Sequence, residues 1–312
     1  MAMLCALFDH VARPLLIAAT LLVGGVVLAD PAPVALAPDT AGELQPDPTG
    51  SSADRVAAAS RVRVVAQSFH SAACLVHAEI MPDAGREALI SARREMAHLL
   101  DALEHGNPRM GFDGAETRRK TVRKLHDVRA MWEGMRRSVN GLIQDSADSA
   151  ALAEMALFEG ILNETAFQLQ TEVSGQYSHP FELLQSDALA IELAARQALW
   201  AEQITHSACT TWRTNGDSAA LTEAMARLSF GLAALEEGQP ALGLAPAPTP
   251  QIGAELAALR ADWARIELDV ARAVSGSATQ EELRATFASL STLSARLQAV
   301  AAGYADVARS RT

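Results

Sequence analysis

Read as a helix, residues 61–80 (RVRVVAQSFHSAACLVHAEI) place Arg63, Gln67, His70, Cys74 and His77 at successive steps of four, three, four and three. That spacing brings all five to one face. Three chemistries fit such a stripe. Arg63, with Arg61 and Gln67 beside it, could hold a small planar oxyanion, because a guanidinium donates two parallel hydrogen bonds and keeps its charge. His70, Cys74 and His77 lie at i, i+4 and i+7, and Glu202, His206 and Cys209 repeat the spacing further along the chain. Two such three-donor sets meeting at an interface would suffice for zinc or copper. The third reading is a helix interface whose polar residues find hydrogen bonds within the protein. No recognised metal signature and no C-x-x-C-H haem motif accompanies the stripe, so no cofactor is expected.

Charge and motifs exclude other functions. The formal net charge is -11, which gives no electrostatic footprint for nucleic acid. The basic segment 118–137 (RRKTVRKLHDVRAMWEGMRR) carries eight Arg and Lys and reads as the solvated face of an amphipathic helix. There is no nucleophile elbow, phosphate loop or zinc-protease helix, so the chain reads as a non-enzyme.

The elements that must position the stripe are helices. Hydrophobic residues make up 49% of the 312 positions but aromatics only 4%, and an Ala- and Leu-rich chain favours helix over strand. Arg13 precedes a 16-residue apolar run (PLLIAATLLVGGVVLA) ending Val27, Leu28, Ala29. This pattern reads as a secretory signal over 1–29, with an uncleaved N-terminal membrane anchor as the alternative. Residues 30–52 hold five prolines and read as a tether. A cleaved signal makes the protein periplasmic and leaves Cys74 and Cys209, two thiols in an oxidising compartment that pair or bind something. Turn-forming stretches at Pro82, GNPRMGFDG (106–114), DSADS (145–149), SGQYSHPF (174–181), NGDS (215–218) and GQPALGLAPAPTP (238–250) divide the remainder. Helices are expected at about 54–81, 84–105, 116–144, 148–175, 184–213, 217–237, 250–275 and 279–309.

The halves repeat. DALEHG (101–106) answers AALEEG (233–238), VRAMW (128–132) answers LRADW (259–263), and SRVRVVAQSFHSAAC (60–74) answers ARQALWAEQITHSAC (195–209). Ordered matches at nearly constant offset mark an internal duplication. The chain therefore reads as all-α, two tandem up-and-down four-helix bundles over 53–178 and 179–312. Trp132 and Trp263 are expected to seal the two cores.

The order of these landmarks resembles the PilJ-type sensor domain, the N-terminal module of type IV pili chemotaxis transducers, which is related to the ectodomains of nitrate and nitrite sensor kinases. The family opener, similar to A-G-R-Q-R-M-L-S-Q-R, corresponds to ASRVRVVAQS (59–68) and LAARQALWAEQ (193–203). The second element is ALEHG or ALEEG, and the third helix carries the Trp. In nitrate-sensing relatives a first-helix arginine binds the anion at a dimer dyad. By motif that residue is Arg63 in the first copy, whereas the second copy has Ala198. The resemblance implies a sensory or ligand-binding protein that recognises a small anion such as nitrate or nitrite and acts through a membrane-bound sensor or envelope protein. No output segment is read after residue 312. It also implies an intramolecular pseudo-dimer in which the first helices face each other. Cys74 and Cys209 then meet as equivalent positions and form a disulfide, two separate buried thiols being the alternative. A structural adaptor of the envelope with no small-molecule ligand is the competing function.

Overall fold

The computed structural model describes residues 52–178 and 183–311; the expected signal, most of the expected tether and His179 lie outside the described residues. The described chain is all-α. Eight helices follow one another: α1 Ser52–His77, α2 Pro82–His105, α3 Arg119–Gln144, α4 Ser149–Tyr177, α5 Gln185–Thr214, α6 Ala219–Glu237, α7 Pro250–Val274 and α8 Gln280–Arg309. Among the described residues none is long and apolar enough to cross a membrane.

Sequence explains most of the boundaries. Pro82 and Pro250 stand at helix starts, where a missing N–H costs nothing. Asp148 Oδ1 accepts from Ala151 N at the start of α4, and Thr279 with Glu282 forms a capping box on α8. The first helix ends at His77, not at 81 as expected, because Glu79 takes a left-handed conformation (φ 55°) and turns the chain towards Pro82. The third starts at Arg119 rather than 116, because Glu116 is recruited into a buried network described below. After α2 and α6 the chain makes matching turns at Gly106 and Gly238, with φ of 86° and 80°, each leading into a one-turn 3-10 helix (Pro108–Met110 and Pro240–Leu242).

Helices α1 to α4 pack in up-and-down order, each against the next and α4 back against α1; α5 to α8 do the same. In addition α1 packs along α5, and all eight helices belong to one compact unit, Pro46–Thr312. This position explains why α1 has almost no polar face. Its Val62, Val64, Val65, Cys74 and Leu75, which point to different sides of the helix, are all buried, as a helix surrounded by neighbours requires. The tryptophans sit where expected. Trp132 stacks on Phe69 with ring centroids 4.8 Å apart, and Trp263 donates from Nε1 to Ser229 Oγ at 2.7 Å.

The first half also contains a buried ion pair. Arg55 has no solvent exposure, and its Nη1 lies 3.6 Å from Glu116 Oε2. Its nitrogens donate to Leu103 O and Gly114 O, and Tyr177 OH donates to Glu116 at 2.7 Å. The network ties the loop after α2 to the start of α1 and the end of α4.

Two stability measurements follow. Arg55→Ala leaves Glu116 buried without its cation, and chemical denaturation should show a loss of about 3–5 kcal/mol, whereas the paired change Arg55→Met with Glu116→Gln should lose less. Cys74 and Cys209 are joined by a disulfide, Cα atoms 6.2 Å apart and 135 residues apart in sequence. Reduction, or Cys74→Ser with Cys209→Ser, should lower unfolding free energy by about 2–5 kcal/mol, because a long loop is released in the unfolded chain.

Candidate functional site

Helices α1 and α5 run parallel. Ala58, Ile191 and Ala195 share one cavity near their N-terminal ends, and the disulfide joins them near their C-terminal ends. Residues 135 apart are therefore structural equivalents across this seam.

On the α4 flank, Arg63 Nη1 donates to Gln170 Oε1 at 3.2 Å, and the guanidinium carbon lies 4.7 Å from the centre of the Phe167 ring. Burial, and then the proximity of Arg196, pull the Arg63 pKa down to about 10, so it stays charged at neutral pH. Asn163 of the same α4 donates to Gln67 Oε1 at 2.9 Å. Arg61 lies elsewhere: its Nε and Nη2 donate to the two oxygens of Glu95 on α2, at 2.5 and 2.7 Å. Two residues along a helix is a rotation of about 200°, so Arg61 and Arg63 serve opposite flanks of α1. The expected group of Arg63, Arg61 and Gln67 does not converge on one point.

Nor does the metal set converge, which corrects that alternative. Cys74 and Cys209, as a disulfide, offer no thiolate. Glu202 accepts from Ser71 Oγ and Ser294 Oγ at 2.5 and 2.7 Å, and His77 Nδ1 lies 3.3 Å from Ser146 O. Among the described residues no group of three or more His, Cys, Asp or Glu could hold a metal ion.

What the seam does gather is a pair of imidazoles. The rings of His70 and His206 are 6.1 Å apart, with Glu159 at 3.5 Å from His206 Nε2, around a cavity of about 240 Å³ walled by Cys74. His70 Nε2 and His206 Nδ1 are buried without hydrogen-bond partners. Burial pushes the His70 pKa down to about 4, with Glu159 opposing and His206 reinforcing the shift.

The larger cavity lies on the opposite flank, where α1, α2, α5, α8 and the 3-10 turn after α2 enclose about 720 Å³. Ala198, Ala301 and Ala302 supply much of the wall, with Val64, Leu99 and Phe112. The cavity has a structural cause. Ala198 is the equivalent of Arg63, and in the register that sets Trp132 against Trp263 (131 residues), Phe167 and Gln170 correspond to Gln298 and Ala301. On the α4 flank the position is filled by a guanidinium, a phenyl ring and an amide; on the α8 flank two of these three are alanines, and the space stays open.

No family model, curated protein or solved structure matches this chain.

Arg61, a candidate from the sequence, lines this cavity, but its other residues escape a reading based on polar donors, since alanines carry no chemical signature. One signal does point to them. GNPRMGF (106–112) repeats as GQPALGL (238–244), a Gly-x-Pro-x-x-Gly-apolar match that is closer than those between the first helices. In the structure the first copy of that turn forms one wall of the cavity.

The buried imidazole sets a pH dependence. A His70 pKa lower in the folded state (about 4) than in the unfolded chain (6.5) means that the unfolded chain alone takes up this proton between those values. The associated stability is fully present above pH 6.5, declines as pH falls, and is lost by about pH 4, on the order of 3 kcal/mol. His70→Leu should flatten the unfolding free energy measured between pH 6.5 and 4 relative to the unsubstituted protein.

Proposed function

We propose that the chain is a non-enzymatic ligand-binding protein of the cell envelope, of a PilJ-like sensory kind. On this reading it takes a small molecule into the cavity between its two bundles and passes the bound state to a membrane partner. The observation that carries this is the 720 Å³ cavity walled by helices of both halves, a volume in the range of small-molecule sites. A ligand held there touches α1 and α2 on one side and α5 and α8 on the other, so its binding free energy acts on the packing of one half against the other. The disulfide across the same seam suits an oxidising compartment. Arg63 is not the centre of this reading, because Gln170 and Phe167 already engage its guanidinium.

The adaptor reading has its own support. Helix α4 exposes Leu157 (75%) and Ile161 (53%) one turn apart, an apolar patch of the sort that meets another protein.

Titration with 1-anilinonaphthalene-8-sulfonate, followed by its fluorescence and by isothermal calorimetry, separates the two. The ligand-binding reading expects saturable one-to-one binding that Ala198→Trp abolishes by filling the cavity, with the circular dichroism spectrum unchanged. Absence of saturable binding, or binding indifferent to Ala198→Trp, favours the adaptor.

A further inference from the structure

The charge around the large cavity points to the class of ligand it takes. Five ionisable side chains line it. Arg61 is paired with Glu95, and Arg309 with Asp54 at 2.8 Å and, outside the lining, with Asp306 at 2.9 Å, so the four lining charges cancel. Arg109, on the 3-10 turn at the rim, is the fifth. Among the described residues it has no acidic partner, and its only hydrogen bond to a side chain uses its backbone N–H, donating to Asn107 Oδ1. The cavity therefore carries one uncompensated positive charge, placed at its mouth. A second feature has the same sign. Arg61 gives Nε and Nη2 to Glu95, but its Nη1 is buried in the same wall without a partner, so the donor side of that ion pair is under-satisfied. Apart from the amide of Gln298 the remainder of the wall is apolar, chiefly Ala198, Ala301, Ala302, Val64 and Leu99. An ion without an apolar body would leave that surface in contact with water, and a neutral apolar molecule would leave Arg109 unmatched. A cation would be repelled.

We infer that the cavity binds an amphipathic monoanion, an apolar body with a single carboxylate or comparable head, body inward and head at Arg109. This rests on the ligand-binding reading above and adds the chemistry of the ligand to it. A charge-assisted hydrogen bond from guanidinium to carboxylate holds the head, and removal of apolar surface from water holds the body. Both acyl-chain acids and aryl acids have this chemistry.

The test uses the full chain, with calorimetry at constant ionic strength and ligands below their aggregation concentrations. Decanoate and indole-3-acetate represent the acyl and aryl sources; decanol and decyltrimethylammonium keep the body and change the head. At least one acid should bind one-to-one and more tightly than decanol, with decyltrimethylammonium weakest. Arg109→Gln, at an exposed position, should weaken the acid about tenfold and leave decanol unchanged. Ala198→Trp should remove all binding. If decanol or the ammonium compound binds as well as the acids, and Arg109→Gln has no effect while Ala198→Trp still blocks, the anion assignment is overturned and the cavity reading stands. If none of the four binds, or binding survives Ala198→Trp, both fall together. Tighter binding of decanoate or of indole-3-acetate identifies the acyl or the aryl source.

Discussion

The parallel packing of α1 on α5 is the constraint on which the rest of the molecule depends. A helix with neighbours on every side has to be built from residues that are apolar or small on every side, and α1 meets that demand with Val, Ala and Phe in place of a polar face. The few polar residues it keeps must find partners inside the protein or be left unsatisfied, and both outcomes occur. Arg63 and Gln67 reach Gln170 and Asn163 on α4, and Arg61 reaches Glu95 on α2, whereas His70 Nε2 has no partner. The stripe at steps of four and three is thus the line along which α1 faces the α4 and α5 junction. Its residue types record what that junction tolerates.

The two bundles share one plan and differ in their interiors. Both have the glycine turn after the second helix and the tryptophan in the third. Among the described residues only the first half buries an arginine and a glutamate, Arg55 and Glu116, with Tyr177 completing the set; the equivalent positions in the second half are Ala190, Ala247 and Ala308. There Tyr304 donates to Leu235 O, and burial raises its pKa to about 12. The seam shows the same divergence, with Arg63 on one side and Ala198 on the other. Two identical halves would fill or empty both flanks alike, so the large cavity exists because the two halves carry different residues at these positions.

Helix count, order and most boundaries were legible in the sequence because proline, glycine and capping residues act locally. The overlong first helix was a local failure, since nothing about Glu79 announces a left-handed residue. The grouping of candidate site residues failed for a different reason. Spacing along one helix shows which side chains share a face, but Arg61 and Arg63 take their partners from α2 and α4, and only packing decides that. Of the donors the metal reading assembled, the cysteines bond to each other, Glu202 to serines and His77 to a carbonyl, which leaves only His70 and His206 together. The cavity was least legible of all, because it is defined by side chains too small to fill it.

The position of the disulfide has a mechanical meaning. Two parallel rods riveted near one end separate only by pivoting about the rivet, and the displacement grows with distance from it. Cys74 and Ala58 are 16 residues apart on α1, about 24 Å at the helical rise, so a tilt of about 5° at the covalent joint moves the cavity walls by about 2 Å. The large cavity lies at the far end of this lever, where Arg309 of α8 reaches Asp54 in the first turn of α1 and Arg311 reaches Asp187 in the first turn of α5. On the ligand-binding reading proposed above, a molecule in the cavity would push far from the covalent joint, at the end of the molecule where α1 begins.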